Sequence, residues 1–186
     1  MKLKTAVGLT EVPKGFLEYK SIKAAAMELK DIDFANKTVT AYWSAFGNKD
    51  FDDDIMLPGC YRKTVSERGP SGSNEIFYLK SHNWENPLGK PIRLEEDAKG
   101  LYAETPVNSG ATFAEDTLKL MAAGLMLQNS VGFQTIKYST VQPDPENWST
   151  WYREIQEVKL WEGSAVVLGA NDQTPFMGFK QMSLTE

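Results

Sequence analysis

The feature that most constrains this chain is a succession of short runs rich in β-branched and aromatic residues, each cut off by a turn. FLEYKSI and AMELKDIDF lead to a turn at Ala35-Asn36-Lys37, after which TVTAYWSAF returns in the pattern of a hairpin. EIFYLKSH predicts a strand ending in a polar tip at His82. The loop NWENPLGKP follows, and then IRLEE and GLYAETPV flank a turn at Asp97 to Gly100. GLYAETPV alternates as an edge strand would, with Pro106 near its end. MLQNSVGFQTIKYSTV and WYREIQEVKLWEGSAVVL are long strands parted by the breaker PDPENWS. Two places remain for helices. CYRKTVSERG, between Pro58-Gly59 and Gly69-Pro70, predicts a short helix over 60–68. ATFAEDTLKLMAAG sets Phe113, Thr117, Leu120, Met121 and Gly124 at helical spacing, with acids early and a glycine at the finish. Many strands with two short helices predict a mainly β, α+β chain: an antiparallel barrel or sandwich with helices packed outside.

Composition narrows the function classes. At 186 residues, 41% hydrophobic and 24% charged, with no internal repeat and no long linker, the chain fits one domain spanning 1–186 with an ordered core over about 16–172. A folded chain of this size buries roughly 70% of the surface its unfolded form exposes, so it needs no metal or disulfide staple. Cys60 is the one cysteine and His82 the one histidine, which excludes internal disulfides and zinc sites built on several imidazoles. The net charge of −5 offers no general attraction to nucleic acid or an anionic membrane, which leaves proteins or small molecules as partners. MKLKTAVGLTEVPKG lacks the apolar run of a signal peptide, and nowhere do eighteen apolar residues run together. Neither GxGxxG nor a phosphate-binding P-loop occurs, so no nucleotide cofactor is expected.

Three positions are candidates for chemistry. His82, at the tip of a strand between Ser81 and Asn83, sits where a rigid sheet presents an imidazole to a cleft; a structural histidine fits the same pattern. Ser130 lies in Gln128-Asn129-Ser130-Val131-Gly132-Phe133, where a glycine two residues on leaves space near the hydroxyl; a small polar residue on a sheet face reads the same way. Glu162 falls by period two on the face of Val158 and Leu160, and a carboxylate aimed at an apolar face needs a partner or a proton. A frayed end at Glu162-Gly163 is the alternative. The run Asp50, Asp52, Asp53, Asp54 invites a divalent cation or a metal-dependent nuclease, but its spacing matches no calcium loop and a solvated turn is expected.

Four segments in order resemble one family: SAFGNKDFDDDIMLPGCY, YLKSHNWENPLGKPIRLEEDAKGLYAE, LMAAGLMLQNSVGF and EVKLWEGSAVVLGAN. Together, from about Phe34 to Asn171, they are similar to the prohead maturation proteases of tailed phages, serine peptidases related in fold to the herpesvirus assemblin proteases. The resemblance implies a small closed antiparallel β-barrel with flanking helices. By motif, Leu79-Lys80-Ser81-His82 supplies the base His82, Ser130-Val131-Gly132-Phe133 the nucleophile Ser130, and Leu160-Trp161-Glu162-Gly163-Ser164 the acid Glu162. Gly163 stands where the family usually carries a bulky apolar residue, and Glu157 is a rival for the acid. The implied activity is a serine endopeptidase, without metal or cofactor. It would work in the host cytoplasm inside the assembling prohead, cleaving the scaffold region of the major capsid protein and itself, with self-association as a dimer plausible. A catalytically silent scaffolding or capsid-interaction protein of the same fold is the competing expectation.

Overall fold

The longest strand organises the fold. In the computed structural model, which describes residues 37–126, 128–171, 173–174 and 176–179, the WYREIQEVKLWEGSAVV run becomes β8, Tyr152–Val166. One edge of β8 pairs along its length with antiparallel β7, Gln128–Val141. Its other edge takes two short parallel strands end to end. These are β2, Asp54–Met56, opposite residues 153–155, and β3, Phe77–Lys80, opposite residues 162–165. β3 turns through Ser81 and His82 into β4, Asn83–Gly89, which closes this sheet in the order β2-β8-β3-β4 with β7 alongside β8.

The second sheet runs β5, Arg93–Glu96, then β6, Gly100–Pro106, then β1, Thr38–Ala45, then β9, Phe176–Phe179, all antiparallel. The helices are α1, Arg62–Arg68, and α2, Thr112–Ala122. Ala114, Thr117, Leu118 and Met121 form the buried stripe of α2; Thr117 and Met121 of the expected face are buried, while Phe113 and Leu120 are only partly so. All described residues lie within one compact unit of the chain, Asp31–Glu186. No described helix is long and apolar enough to cross a membrane.

One core joins the sheets. Val39, Ala41 and Trp43 of β1 and Leu101 and Ala103 of β6 meet Ile155, Val158 and Leu160 of β8, Tyr78 of β3 and Leu118 and Met121 of α2. The rings of Trp43 and Tyr78, both fully buried, stack 5.3 Å apart at 4°, an offset or parallel aromatic contact that adds roughly 1 kcal/mol beyond the area removed from water.

Several expectations need correction. Among the described residues the strands form two open sheets, not a closed barrel, and β2 and β3 run parallel to β8. β4 is the last strand of its ladder; past it, Leu88 O accepts the Asn108 N–H at 3.1 Å just beyond the end of β6, a bond outside any strand pairing. The segment containing β4 was expected as a loop. β6 is an interior strand, not an edge, because Pro106 is its last residue and opposes only Thr38 at the end of the ladder. Asp54 is not in a solvated turn. It is buried in β2 and receives Arg153 Nε and Nη2, both at 2.6 Å, in a bidentate fork. The expected strands FLEYKSI and AMELKDIDF, with residues 35 and 36 of their turn, lie outside the described residues.

Candidate active site

The strand register determines which side chains share a face. Ser130 lies directly opposite Ser164, and Gly132 directly opposite Glu162, in the antiparallel β7–β8 ladder. Opposed residues project to the same side and alternate residues along a strand do too, so Ser130, Gly132, Glu162 and Ser164 share one face. Glu162 is 3% exposed and β8 continues four residues past it, so the strand is not frayed there. A Cβ on Gly132 would lie 2.1 Å from Glu162 Oε1. The glycine therefore makes room for the carboxylate of the facing strand, a different role from clearing space at the serine. Gly132→Ala should displace the tip of a flexible side chain and not backbone. Because that carboxylate is buried and held by other residues, unfolding free energy should fall by about 1–3 kcal/mol, while any activity that needs Oε1 in place should fall at least about tenfold. Paired denaturation and cleavage assays check this; a variant that folds normally and keeps full activity contradicts it.

The imidazole arrives from the other edge of β8. β3 and β4 are joined by Ser81 and His82 alone, at φ +53° and +57°, the pair of positive angles that a tight two-residue hairpin demands. Such angles cost a non-glycine residue on the order of 1 kcal/mol each, and the neighbouring strand holds them. Ser81 N–H donates to Ala165 O at 2.9 Å, and His82 N–H donates to Ser164 Oγ at 3.0 Å. The ring then turns back onto β8, with Nδ1 2.7 Å from Glu162 Oε1. The other carboxylate oxygen, Oε2, accepts Ser164 Oγ–H at 2.6 Å. The rival acid is elsewhere: Glu157 pairs with Lys63 of α1 at 3.0 Å.

His82 and Ser130 line one cleft of about 310 Å³ together with Trp43, Asn129, Leu168 and Asn171. They are not hydrogen-bonded to each other in this structure. Ser130 is half-buried, and its neighbour Asn129 is pinned by two residues: Oδ1 accepts Tyr78 O–H at 2.8 Å, its backbone N–H donates to Thr174 O at 3.0 Å, and its carbonyl accepts Thr174 O–H at 2.6 Å. Asp50 and Asp52 also line the cleft. Asp50 Oδ1 accepts the backbone N–H groups of Asp52 and Asp54, both at 2.9 Å, and burial pushes its carboxyl above the usual range. Cys60 is no competitor as nucleophile, because burial holds its thiol protonated.

Sequence reading singled out His82, Ser130 and Glu162 but passed over three residues that shape their surroundings. Ser164 carried a signal, being polar at the next alternate position on an apolar strand face. Asn129 carried none, since its partners come from distant segments. The third is Trp43. Its ring occupies the space beside Gly163, where a Cβ would lie 2.2 Å from Cδ2, so the indole from β1 fills the space a side chain at position 163 would take.

A hydroxyl and an imidazole that line one cleft, with Nδ1 of the imidazole held by a buried carboxylate, are the kinds of group a serine hydrolase uses. Residues 24–185 match the family model described as Caudovirus prohead serine protease, and the chain belongs to that family. It is 31% identical over 143 residues to the "Prohead protease" of Enterobacteria phage HK97, an alignment covering 76% of this chain and 59% of that relative's length. Among solved structures it is similar to the KSHV protease in complex with a hexapeptide phosphonate inhibitor, at TM-score 0.48 and 12% identity over 77% of this chain and 65% of that one. That likeness is too loose to carry an argument.

Proposed function

We propose that this chain is the protease domain of a phage prohead serine endopeptidase, with Ser130 as nucleophile, His82 as general base and Glu162 as the acid that orients it. The observation that carries the reading is the 2.7 Å contact of His82 Nδ1 with buried Glu162 in the cleft that Ser130 lines. A serine hydroxyl is a poor nucleophile at neutral pH unless a base takes its proton as it attacks. With Nδ1–H committed to Glu162, the lone pair of Nε2 is left to receive the Ser130 proton and to return it to the leaving amine. Backbone N–H groups beside the nucleophile, those of Val131 or Gly132, are the proposed oxyanion donors, each worth about a hundredfold or more in rate. No metal or cofactor enters this chemistry. The proposed substrates are the scaffold region of the major capsid protein and the protease's own chain, inside the assembling prohead in the host cytoplasm, where the protease would act as a homodimer.

The pH dependence follows from the His82 site. The hydrogen bond that the imidazole donates to Glu162 raises it above its ordinary value of 6.5, while burial works the other way. The base must be neutral, so kcat/KM should climb with pH along a limb centred above about 6.5. Replacing Glu162 by glutamine removes the charge that raises the limb. Glu162→Gln should shift it to lower pH and reduce kcat by about 10³–10⁴-fold. The same proton is favoured by folding, so the stabilisation from this pair is complete below about pH 6.5 and fades as pH rises through the raised value. An acid limb that stays put in the glutamine variant contradicts the assignment.

The substrate proposal is tested by incubating the purified chain with its phage's full-length capsid precursor and reading new N-termini by mass spectrometry. Cleavage confined to the precursor's scaffold region supports it. An intact precursor that still binds the chain, whether or not His82 and Ser130 are present, favours the silent scaffolding protein.

A further inference from the structure

We propose that Ser164 is a positioning residue that fixes both the tautomer of His82 and the conformation of the strained turn carrying it; this rests on the peptidase reading of the same site. The hydroxyl of Ser164 is fully buried, and two bonds occupy it. His82 N–H can only donate, so Ser164 Oγ accepts there, at 3.0 Å. The Ser164 proton is therefore free for Glu162 Oε2, at 2.6 Å. The carbonyl or carboxylate oxygen Oε2 is engaged by Ser164, and Oε1 faces Nδ1 at 2.7 Å. With Glu162 ionised, both of its oxygens can only accept, so the proposed arrangement puts the ring proton on Nδ1 and leaves Nε2 as the base.

The loop His82 N–H to Ser164, Ser164 to Glu162, and Glu162 to Nδ1 closes on the residue where it began. One hydroxyl thus couples the backbone of the base to the carboxylate that orients its ring. The burden it bears is specific, because Ser81 and His82 both hold positive φ without being glycine. Such conformations persist only where surrounding bonds over-determine them. Ser164 does not compete with Ser130 as nucleophile, since it has no solvent access and its proton is already donated.

The test reads the single imidazole of the chain by ¹⁵N NMR and, separately, cleavage kinetics, for wild type, Ser164→Ala, Ser164→Cys and Ser164→Thr. Wild type above its titration should show Nδ1 protonated and Nε2 bare. In Ser164→Ala the two nitrogens should move toward the averaged shifts of mixed tautomers. Its kcat should drop about 10- to 100-fold with KM within about threefold, the size of effect that outer partners of a functional group produce. Ser164→Cys, close to serine in volume and a weak donor, should behave like alanine and serves if the alanine variant does not fold. Ser164→Thr keeps the hydroxyl but adds a methyl to a fully buried site, which lowers stability, and the folded variant should recover most of the kinetic loss. Unmixed tautomers and wild-type kcat in a folded alanine or cysteine variant overturn the proposal. If wild type cleaves nothing, the peptidase reading fails on kinetics, while the NMR spectra still decide whether Ser164 sets the tautomer.

Discussion

Ser130→Ala is expected to reduce peptide-bond cleavage by about 10⁶-fold while unfolding as the wild type does, within about 0.5 kcal/mol. The two halves of this expectation have separate origins. Ser130 is small and half-buried at a point where the strand is held by its ladder to β8 and by the bonds of Asn129, none of which uses the Ser130 hydroxyl. Removing that oxygen leaves the packing intact. Its removal takes away the nucleophile proposed for the acyl intermediate, so what should remain is binding and oxyanion stabilisation. His82→Ala should cost nearly as much, and the double variant little more than either alone, because nucleophile and base act as one unit. Single-turnover assays on the capsid precursor, with thermal unfolding run beside them, read both halves. Processing retained by Ser130→Ala contradicts the nucleophile assignment.

The second large effect is on stability. Gly163→Val places a branched side chain where the Trp43 indole already is, with Cδ2, Cε3 and Cε2 at 2.2, 2.3 and 2.6 Å from the position of the new Cβ. The tip of a flexible side chain could swing away, but this ring is 1% exposed and stacked on Tyr78. Overpacking of this kind costs about 3 kcal/mol or more, a large part of the roughly 5–15 kcal/mol by which domains are stable. In a Trp43→Leu background, already weakened by the loss of the ring, adding Gly163→Val should cost measurably less than in wild type, since both changes act on one contact. Chemical denaturation of the four proteins gives the cycle. A Gly163→Val protein as stable as wild type would show that Trp43 does not fill that space.

The same pair shows how much could be read from the residues. The unusual glycine at 163 was visible as a departure, but its compensation lies on β1, which no local pattern connects to β8. Glu162 was legible as a carboxylate on an apolar face because period two is a local property of a strand. Its meeting with His82 across eighty residues depends on β3 lying parallel to β8, and strand pairing leaves no local signature. Elements whose own composition declares them, β1, β7, β8 and the two helices, were recognisable. β2 is three residues long, too short to alternate, and β4 is polar with an internal proline, so both read as turn or loop. Asp54 looked solvated because the acidic run is visible in sequence and Arg153, ninety-nine residues on, is not. Barrel closure was not legible for a related reason: it depends on which edges find partners, and the number of strands does not fix that.

The central claim, that His82 and Glu162 activate Ser130, is tested most directly by treating the protein with a fluorophosphonate and mapping the adduct by peptide mass spectrometry. The expected result is one adduct, on Ser130, lost in His82→Ala and formed far more slowly in Glu162→Gln. Labelling of another residue, or labelling of Ser130 that is indifferent to both replacements, would contradict the account.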